Sequence, residues 1–188
     1  QKRLRDGGGQ RLPKWKQRCC LTHVALVCDR TDVQPVLPQY VIGNERTLLV
    51  RNMGVLRGDC PSNVRILRQQ SAWNNAAGTA RIVRELAVAV AATRDRLGEF
   101  QIVLILDAAR IHYAPQVLRA CASAGVWPIV VPAGMTFLLQ PLDTHAFALY
   151  KAELVRSFHV ARAGSADETG DIDVRAFLAC VRGTIKKV

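Results

Sequence analysis

The sequence predicts a single α/β domain in which a mixed β-sheet is flanked by helices. Two continuous apolar runs of strand length, Phe100–Leu106 and Val126–Val131, are bounded by polar or turn-forming residues, as strands buried inside a sheet are. Between them, Ala114–Ala124 has a proline near its first turn and Gly125 at its end, which predicts a short helix. A strand, a helix and a second strand in this order predict a parallel pair with a right-handed crossover.

Two further extended segments precede this unit. Cys20–Cys28 is rich in apolar and β-branched residues and ends at a turn-forming DRTD sequence, and Val33–Gly43 follows it with two prolines. We expect these segments to form an antiparallel hairpin beside a central strand, Phe100–Leu106, that is covered on both faces. Thr47–Asn52 is a candidate for a short third strand, and the surrounding region, residues 44–71, gives no clear pattern.

The remaining helices are predicted from the spacing of apolar residues. Asn75–Leu97 carries apolar residues at intervals of four and is followed by Gly98, a typical helix end. Thr144–Val160 and Val174–Val188 are predicted as two more helices, separated by the polar spacer Gly164–Asp173. The chain therefore divides into an N-terminal arm, residues 1–18, an α/β domain, residues 19–163, and a C-terminal linker with a helix, residues 164–188.

Positive charge greatly exceeds negative charge and is concentrated in the arm. The chain has 26 lysines and arginines against 15 aspartates and glutamates, a net charge of +11. A surplus of this size attracts polyanions, most commonly nucleic acids, although a merely basic protein has the same composition. The arm is either a phosphate-binding segment or a solvated tail, and its basic residues are Lys2, Arg3, Arg5, Arg11, Lys14, Lys16 and Arg18.

Several functional classes have no support in the sequence. No uninterrupted run of about 18 apolar residues is present, so no membrane partner is expected. The six cysteines include no C-x-x-C pair and no zinc-finger spacing, which favours a reducing compartment, nucleus or cytoplasm, over a disulfide framework. The glycine-rich nucleotide-binding motifs, the H-E-x-x-H motif of zinc proteases and the G-x-S-x-G motif of serine hydrolases are also absent.

Two aspartates follow predicted strands at positions that should lie at one edge of the sheet. Asp107 directly follows Phe100–Leu106, and Asp143 lies 36 residues later, at the start of a predicted helix. Open α/β sheets bind ligands at the carboxyl ends of their strands. Two or three carboxylates there can hold divalent ions such as Mg²⁺ for phosphoryl displacement, although an aspartate after a strand also serves as a turn or helix cap.

Three stretches of the chain resemble the DDE superfamily endonucleases, the pogo- and mariner-like transposases from which centromere protein B and jerky derive. They are LILDAARIH (Leu104–His112), VPAGMTFLLQPLD (Val131–Asp143) and HAFALYKAEL (His145–Leu154). The resemblance covers roughly Thr22–Leu154, and its Leu-Gln-Pro-Leu-Asp block is the most specific part. It implies an RNase H-like fold and a nuclear hydrolase that cleaves and joins DNA strands with Mg²⁺ or Mn²⁺.

The resemblance also assigns roles to individual residues. Asp107 corresponds to the second metal-binding catalytic acid and Asp143 to the third. His112 and Gln140 match supporting positions, and we take His112 together with the two aspartates as the catalytic candidates. DNA is the implied partner, and a homo-oligomer is left open.

At two points the sequence departs from the family's pattern. Ala108 stands where the family has an asparagine beside the second acid, and the strand that carries the family's first acid would precede Gln1, so we expect that strand to be missing. Three functions therefore stay open: a nuclease, a catalytically inactive module of the same fold that binds nucleic acid or serves in an assembly, and an unrelated basic protein. For the nucleic-acid-binding functions we expect Arg110 and Lys151 to join the arm in contacting phosphates.

Overall fold

The computed structural model describes residues 21–58, 60–93, 98–135, 139–140, 142, 146–164 and 173–187. This part of the chain has a mixed α/β fold, which agrees with the predicted class. Its strands are β1 (Leu21–Val24), β2 (Gln39–Asn44), β3 (Val64–Gln69), β4 (Ile102–Leu106) and β5 (Val126–Val130). Its α-helices are α1 (Val50–Arg57), α2 (Ala76–Ala91), α3 (Pro115–Ser123), α4 (Phe147–Ala163) and α5 (Val174–Lys187). Short 3₁₀ helices cover Gln34–Val36 and Arg110–Tyr113.

The strands form two separate sheets. In the first, β1 pairs antiparallel with β2, and β2 pairs parallel with β3. In the second, β4 and β5 form a parallel pair in which Ile102 stands opposite Val126. The predicted antiparallel hairpin and the predicted parallel pair are thus confirmed, and Gly125 ends the helix between β4 and β5 with a φ of 65°, in the region that favours glycine.

The position of β4 corrects one prediction. The apolar run Phe100–Leu106 predicts a central strand covered on both faces, but in the described part of the chain β4 pairs with β5 alone. Ile102 and Leu104 pack against α2, while Val103 and Ile105 point outward and are 47% and 45% exposed. A continuous apolar run is typical of a buried strand, but it does not establish that other elements cover both of its faces.

The region before β3 corrects a second prediction. The expected strand Thr47–Asn52 is absent, and the chain turns there and enters α1 at Val50. Leu48 and Leu56 are 0% and 1% exposed and belong to one core cluster, because a turn followed by a helix brings both onto the same side. Strand β3 itself has no counterpart among the predictions, since its arginines obscure the apolar alternation.

Helix α2 lies across both sheets and fixes them side by side. The Tyr40 hydroxyl of β2 donates a hydrogen bond to Glu85 Oε2 of α2 at 2.6 Å. On the same helix, Leu86 belongs to a core cluster against which Ile102 of β4 packs. Burial acts to raise the pKa of Glu85, but hydrogen bonds from Tyr40 and Arg81 outweigh it, so this pKa lies below its ordinary value. The carboxylate is thus held as an ionised link between helix and sheet.

A cavity of about 240 Å³ lies between the segment that follows β1 and the strand β4. One side is lined by Leu26–Arg30, which continues from β1, and the other by Phe100–Leu104. Leu86 and Val90 of α2 also line it. In the described part of the chain, β1 pairs only with β2, and β4 pairs only with β5.

The face of the three-stranded sheet that lies opposite α2 is covered by α1 and α5. Val41 of β2, Leu48, Leu56 of α1 and Leu178 of α5 form the core there, and all are essentially inaccessible. Helix α4 packs against α5. The three-stranded sheet is therefore covered by helices on both faces, unlike the β4–β5 pair.

Among the described helices, none is long and apolar enough to cross a membrane.

Candidate functional site

Asp107 lies at the carboxyl edge of the β4–β5 sheet, as the sequence predicts. Pairing continues one step past the strands, because the Val131 amide donates to the Leu106 carbonyl at 2.7 Å. The chain then turns, and the Ala109 amide donates to Asp107 Oδ1 at 3.2 Å. The Asp107 side chain is 43% exposed. Its carboxylate is therefore both anchored by the turn and open to a ligand.

His112 folds back onto Asp107. Its Nδ1 lies 2.7 Å from Asp107 Oδ1 and 3.0 Å from the carbonyl oxygen of Asp107. The 3₁₀ helix creates this approach, since the His112 amide donates to the Ala109 carbonyl at 2.9 Å. The imidazole is only 14% exposed, so its position is fixed by packing as well as by hydrogen bonds.

The two contacts of His112 determine which ring nitrogen carries the hydrogen. A carbonyl oxygen and a carboxylate oxygen are both acceptors, so Nδ1 must be the donor. In the neutral imidazole Nε2 is then unprotonated, with its lone pair available to accept a proton or a hydrogen bond. The arrangement is that of a carboxylate that orients a histidine, the pairing found where imidazoles act as bases or metal ligands.

Asp107 has a second oxygen for a ligand. In the described part of the chain its side-chain contacts fall on Oδ1, and the side chain is 43% exposed. A hard, charged oxygen of this kind is what Mg²⁺ and Mn²⁺ bind. The contact from Ala109 is also the one that an aspartate makes in a turn, so Asp107 stabilises the local backbone in addition to presenting Oδ2.

The convergence of Asp107 with Asp143 stays a prediction, because Asp143 lies outside the described residues. Gln140 is described and half-buried. Among the described residues, no group of three or more His, Cys, Asp and Glu side chains is placed to hold a metal ion. The basic residues of the arm also lie outside the described part: Lys2, Arg3, Arg5, Arg11, Lys14, Lys16 and Arg18.

The two remaining basic candidates differ in position. Arg110 is exposed in the 3₁₀ helix that carries His112, so it adds positive charge to the edge where Asp107 lies. Lys151 is exposed on α4, and no described contact joins it to that edge. Only Arg110 is therefore placed beside the carboxylate by the fold.

The structure adds a loop that sequence reasoning passed over. Residues 70–75 connect β3 to the start of α2. The second half of α2, Leu86 and Val90, clusters with Phe100 and Ile102 at the start of β4, so the start of α2 lies toward the end of β4 that carries Asp107. The loop carries Trp73, whose ring is 78% exposed. A single tryptophan between polar residues, in the sequence S-A-W-N-N, is the signal that would have found it.

Comparison with protein-family models, with curated proteins and with solved structures found no match. The site residues and their contacts therefore carry the functional proposal.

Proposed function

We propose that this chain is the body of a DDE-type endonuclease domain, which cleaves and joins DNA strands by phosphoryl transfer with Mg²⁺ or Mn²⁺. The observation that carries the proposal is the Asp107–His112 pair at the carboxyl edge of a parallel strand–helix–strand unit. One carboxylate oxygen is held by His112 and the turn, and the Asp107 side chain is 43% exposed. The net charge of +11 suits a polyanionic substrate.

The residues present fit a divalent ion in the chemistry of their donors. Asp107 would hold it through Oδ2 together with Asp143, because such ions prefer carboxylate oxygens. When bound, the ion polarises the scissile phosphate and activates the attacking oxygen. His112 keeps Asp107 in one orientation, and its Nε2 can accept a proton from the attacking group or donate one to the leaving group when protonated. Arg110 is suited to contact a neighbouring phosphate.

The division of the strands supports an RNase H-like arrangement as part of the same proposal. The resemblance implies a further strand that carries the first acid. In the described residues β1 and β4 each have one strand partner, and a cavity lies between β4 and the segment that follows β1. A strand inserted between β1 and β4 would lie beside β4, whose carboxyl end carries Asp107. The first acid and Asp107 would then share one edge of a continuous mixed sheet.

A catalytically inactive DNA-binding module of the same fold is the second candidate. The observation that favours it is Ala108, which leaves the residue after Asp107 without the polar side chain that the resemblance implies. The two candidates share salt-sensitive binding of DNA and differ in strand cleavage.

Cleavage of a supercoiled plasmid in the presence of Mg²⁺ or Mn²⁺ separates the two candidates. The informative variant is Asp107→Asn, which removes the charge and keeps the shape. The matched control is Glu99→Gln, because Glu99 is an exposed carboxylate at the opposite end of the same strand. We expect metal-dependent nicking that is lost in Asp107→Asn and kept in Glu99→Gln.

The alternative outcomes are equally clear. Salt-sensitive DNA binding without nicking by the wild-type chain would favour the inactive module. Nicking that survives Asp107→Asn would contradict the assignment of Asp107 as a metal-binding catalytic acid.

A further inference from the structure

We infer that Trp73 is a stacking platform for an unpaired base of the DNA strand that passes the Asp107 edge. The inference rests on the proposed function for its substrate class, DNA, and adds a base-contacting position that the carboxylate chemistry does not require. Four observations support it. They are the exposure of the Trp73 ring, the hydrogen bonds that fix the backbone of its loop, the exposed arginine in the turn after β2, and the position of the Trp73 loop relative to Asp107.

The Trp73 ring is presented to solvent while its neighbour is anchored in the fold. Trp73 is 78% exposed, whereas Ala72 is only 8% exposed. Tryptophan has a large apolar surface, and folding normally buries most of it. An indole ring that is exposed on a loop is therefore an apolar surface, and burying it against a flat, apolar partner would be favourable.

Hydrogen bonds hold the loop backbone in place. Gln69 Nε2 donates to the Trp73 carbonyl at 2.7 Å, and the Trp73 amide donates to Ser71 Oγ at 3.1 Å. The next residues begin α2, where the Asn75 side chain accepts a hydrogen bond from the Gly78 amide at 2.8 Å. A ring on a fixed backbone loses little conformational freedom when it binds a partner.

The turn that follows β2 is bonded to this loop and brings positive charge. Asn44 Nδ2 donates to the Gln70 carbonyl at 2.7 Å, so the two connections form one unit. Arg46 is exposed in the turn and forms no ion pair within the described residues. Glu45 is the exposed acid of the same turn, and the half-buried Arg68 guanidinium donates to the carbonyl oxygens of Leu48 and Glu45. The unit thus presents the Trp73 ring and the exposed Arg46 side chain on two connections that are bonded to each other.

The loop lies at the same end of α2 as the candidate site. Leu86 and Val90 in the second half of α2 cluster with Phe100 and Ile102 at the start of β4, so the first turn of α2 lies toward the carboxyl end of β4. The 3₁₀ helix Arg110–Tyr113, which carries His112, also contacts α2. Tyr113 is 51% exposed on that turn. Trp73 and the Asp107–His112 pair therefore belong to one edge of the molecule.

An exposed aromatic ring on a loop that is bonded to an arginine-bearing turn suits an unpaired nucleotide. Bases of every type stack on aromatic side chains, and arginines neutralise the adjoining phosphates. In a duplex the base faces are covered by their neighbours, so the expected ligand is a base in a single strand or at a frayed end. Duplex ends that can fray arise when both strands are cut, which ties this surface to the proposed reaction.

The test is the affinity for a short, fluorescently labelled thymine oligonucleotide, measured by anisotropy in the presence of EDTA. The informative variants are Trp73→Ala and Trp73→Leu, and Trp73→Phe restores an aromatic ring. Trp127→Ala is the matched control, because Trp127 is 64% exposed in the middle of β5, away from this loop. Circular dichroism confirms that each variant is folded.

We expect Trp73→Ala and Trp73→Leu to weaken single-strand binding by roughly 5- to 100-fold, the range that loss of one stacked base gives. Trp73→Phe and Trp127→Ala should bind nearly as the wild type does. Affinity for a blunt duplex should change little in all four variants. Unchanged single-strand affinity in Trp73→Ala, an equal loss in Trp127→Ala, or an equal loss for the duplex would overturn the inference.

The assay also separates this inference from the proposed function. It contains no free metal and measures no cleavage, so an inactive wild-type protein that shows the Trp73 effect would support the inference while the nuclease proposal fails. A protein that nicks plasmid DNA but binds single strands equally well with and without Trp73 would overturn the inference alone. Failure of the wild type to bind any DNA would overturn both.

Discussion

His112 Nδ1 lies against two oxygens of Asp107, 2.7 Å from Oδ1 and 3.0 Å from the carbonyl oxygen. One residue thus holds the imidazole through its side chain and its backbone, at the point where β4 ends. The contact depends on the 3₁₀ helix between them, which returns the chain toward the strand within five residues. The candidate site is therefore a local structure, built by one strand end and one turn.

The first prediction concerns the tautomer of His112. Because both partners of Nδ1 are acceptors, the neutral ring should carry its hydrogen on Nδ1 and leave Nε2 bare. Long-range ¹H–¹⁵N NMR correlation distinguishes the two nitrogens directly. The exposed His159 of α4 is the internal control, since no described acceptor fixes its ring. A neutral His112 with its hydrogen on Nε2 would show that Asp107 does not orient it.

The second prediction concerns pH and His23 of β1. Burial lowers the pKa of His23 from 6.5 to about 4. Both ring nitrogens are buried without a hydrogen-bond partner in the described part of the chain, and the ring lies 4.9 Å from the Tyr150 ring of α4. The folded state therefore requires the neutral imidazole, while the unfolded state gains a proton below about pH 6.5.

The sign of the effect follows from that difference. Stability should fall as the pH drops from about 6.5 to about 4, by at most roughly 3 kcal/mol at about 1.36 kcal/mol per pKa unit. His23→Phe, which keeps a ring against Tyr150, should remove most of this loss, and so should His23→Leu. Denaturant unfolding at a series of pH values measures it, with His159→Gln as the exposed control. An identical pH dependence in wild type and both His23 variants would contradict the prediction.

The third prediction compares two glycines. A Cβ on Gly43 of β2 would lie 2.9 Å from Leu48 Cβ and 3.2 Å from Leu21 Cδ2, whereas a Cβ on Gly54 of α1 meets nothing within 4 Å. Gly43→Ala should destabilise the protein by about 1–3 kcal/mol, because Leu48 is fully buried and has no room to move. Gly54→Ala should stabilise it by about 0.5–1 kcal/mol through helix propensity. Denaturant midpoints that shift equally for both would show that the β2–Leu48 contact is looser than described.

The sequence predicts the elements that depend on local spacing. The helices at α2, α3, α4 and α5 follow from apolar periodicity and helix-ending residues, and the β4–β5 pair follows from two apolar runs separated by one short helix. The position of Asp107 could be predicted because a residue directly after a strand lies at the carboxyl edge of the sheet by strand geometry alone.

The features that could not be predicted depend on the surroundings. Val103 and Ile105 have the same apolar character as Ile102 and Leu104, and only the placement of α2 decides which pair is buried. The contact of His112 with Asp107 depends on a 3₁₀ turn, for which the sequence carries no periodic signal. The pairing of β3 with β2 is equally a tertiary outcome, since nothing in residues 44–71 specifies a partner.

The fourth prediction concerns salt. If lysines and arginines contact phosphates, the logarithm of duplex affinity should fall linearly with the logarithm of salt concentration, by about 0.9 for each phosphate contacted. Two duplexes of unrelated sequence should give the same line. Removal of residues 1–18, which contain seven of the chain's basic residues, should make the slope shallower. An affinity that does not change between low and moderate salt would exclude the phosphate contacts.

The proposed function requires that Asp107 and Asp143 bind one divalent ion, which anomalous diffraction from crystals soaked in Mn²⁺ would show. We expect an anomalous peak within about 2–2.5 Å of carboxylate oxygens from both aspartates, and no peak there in Asp107→Asn crystals. A peak that contacts neither aspartate, or Asp107 and Asp143 at opposite ends of the sheet, would contradict it.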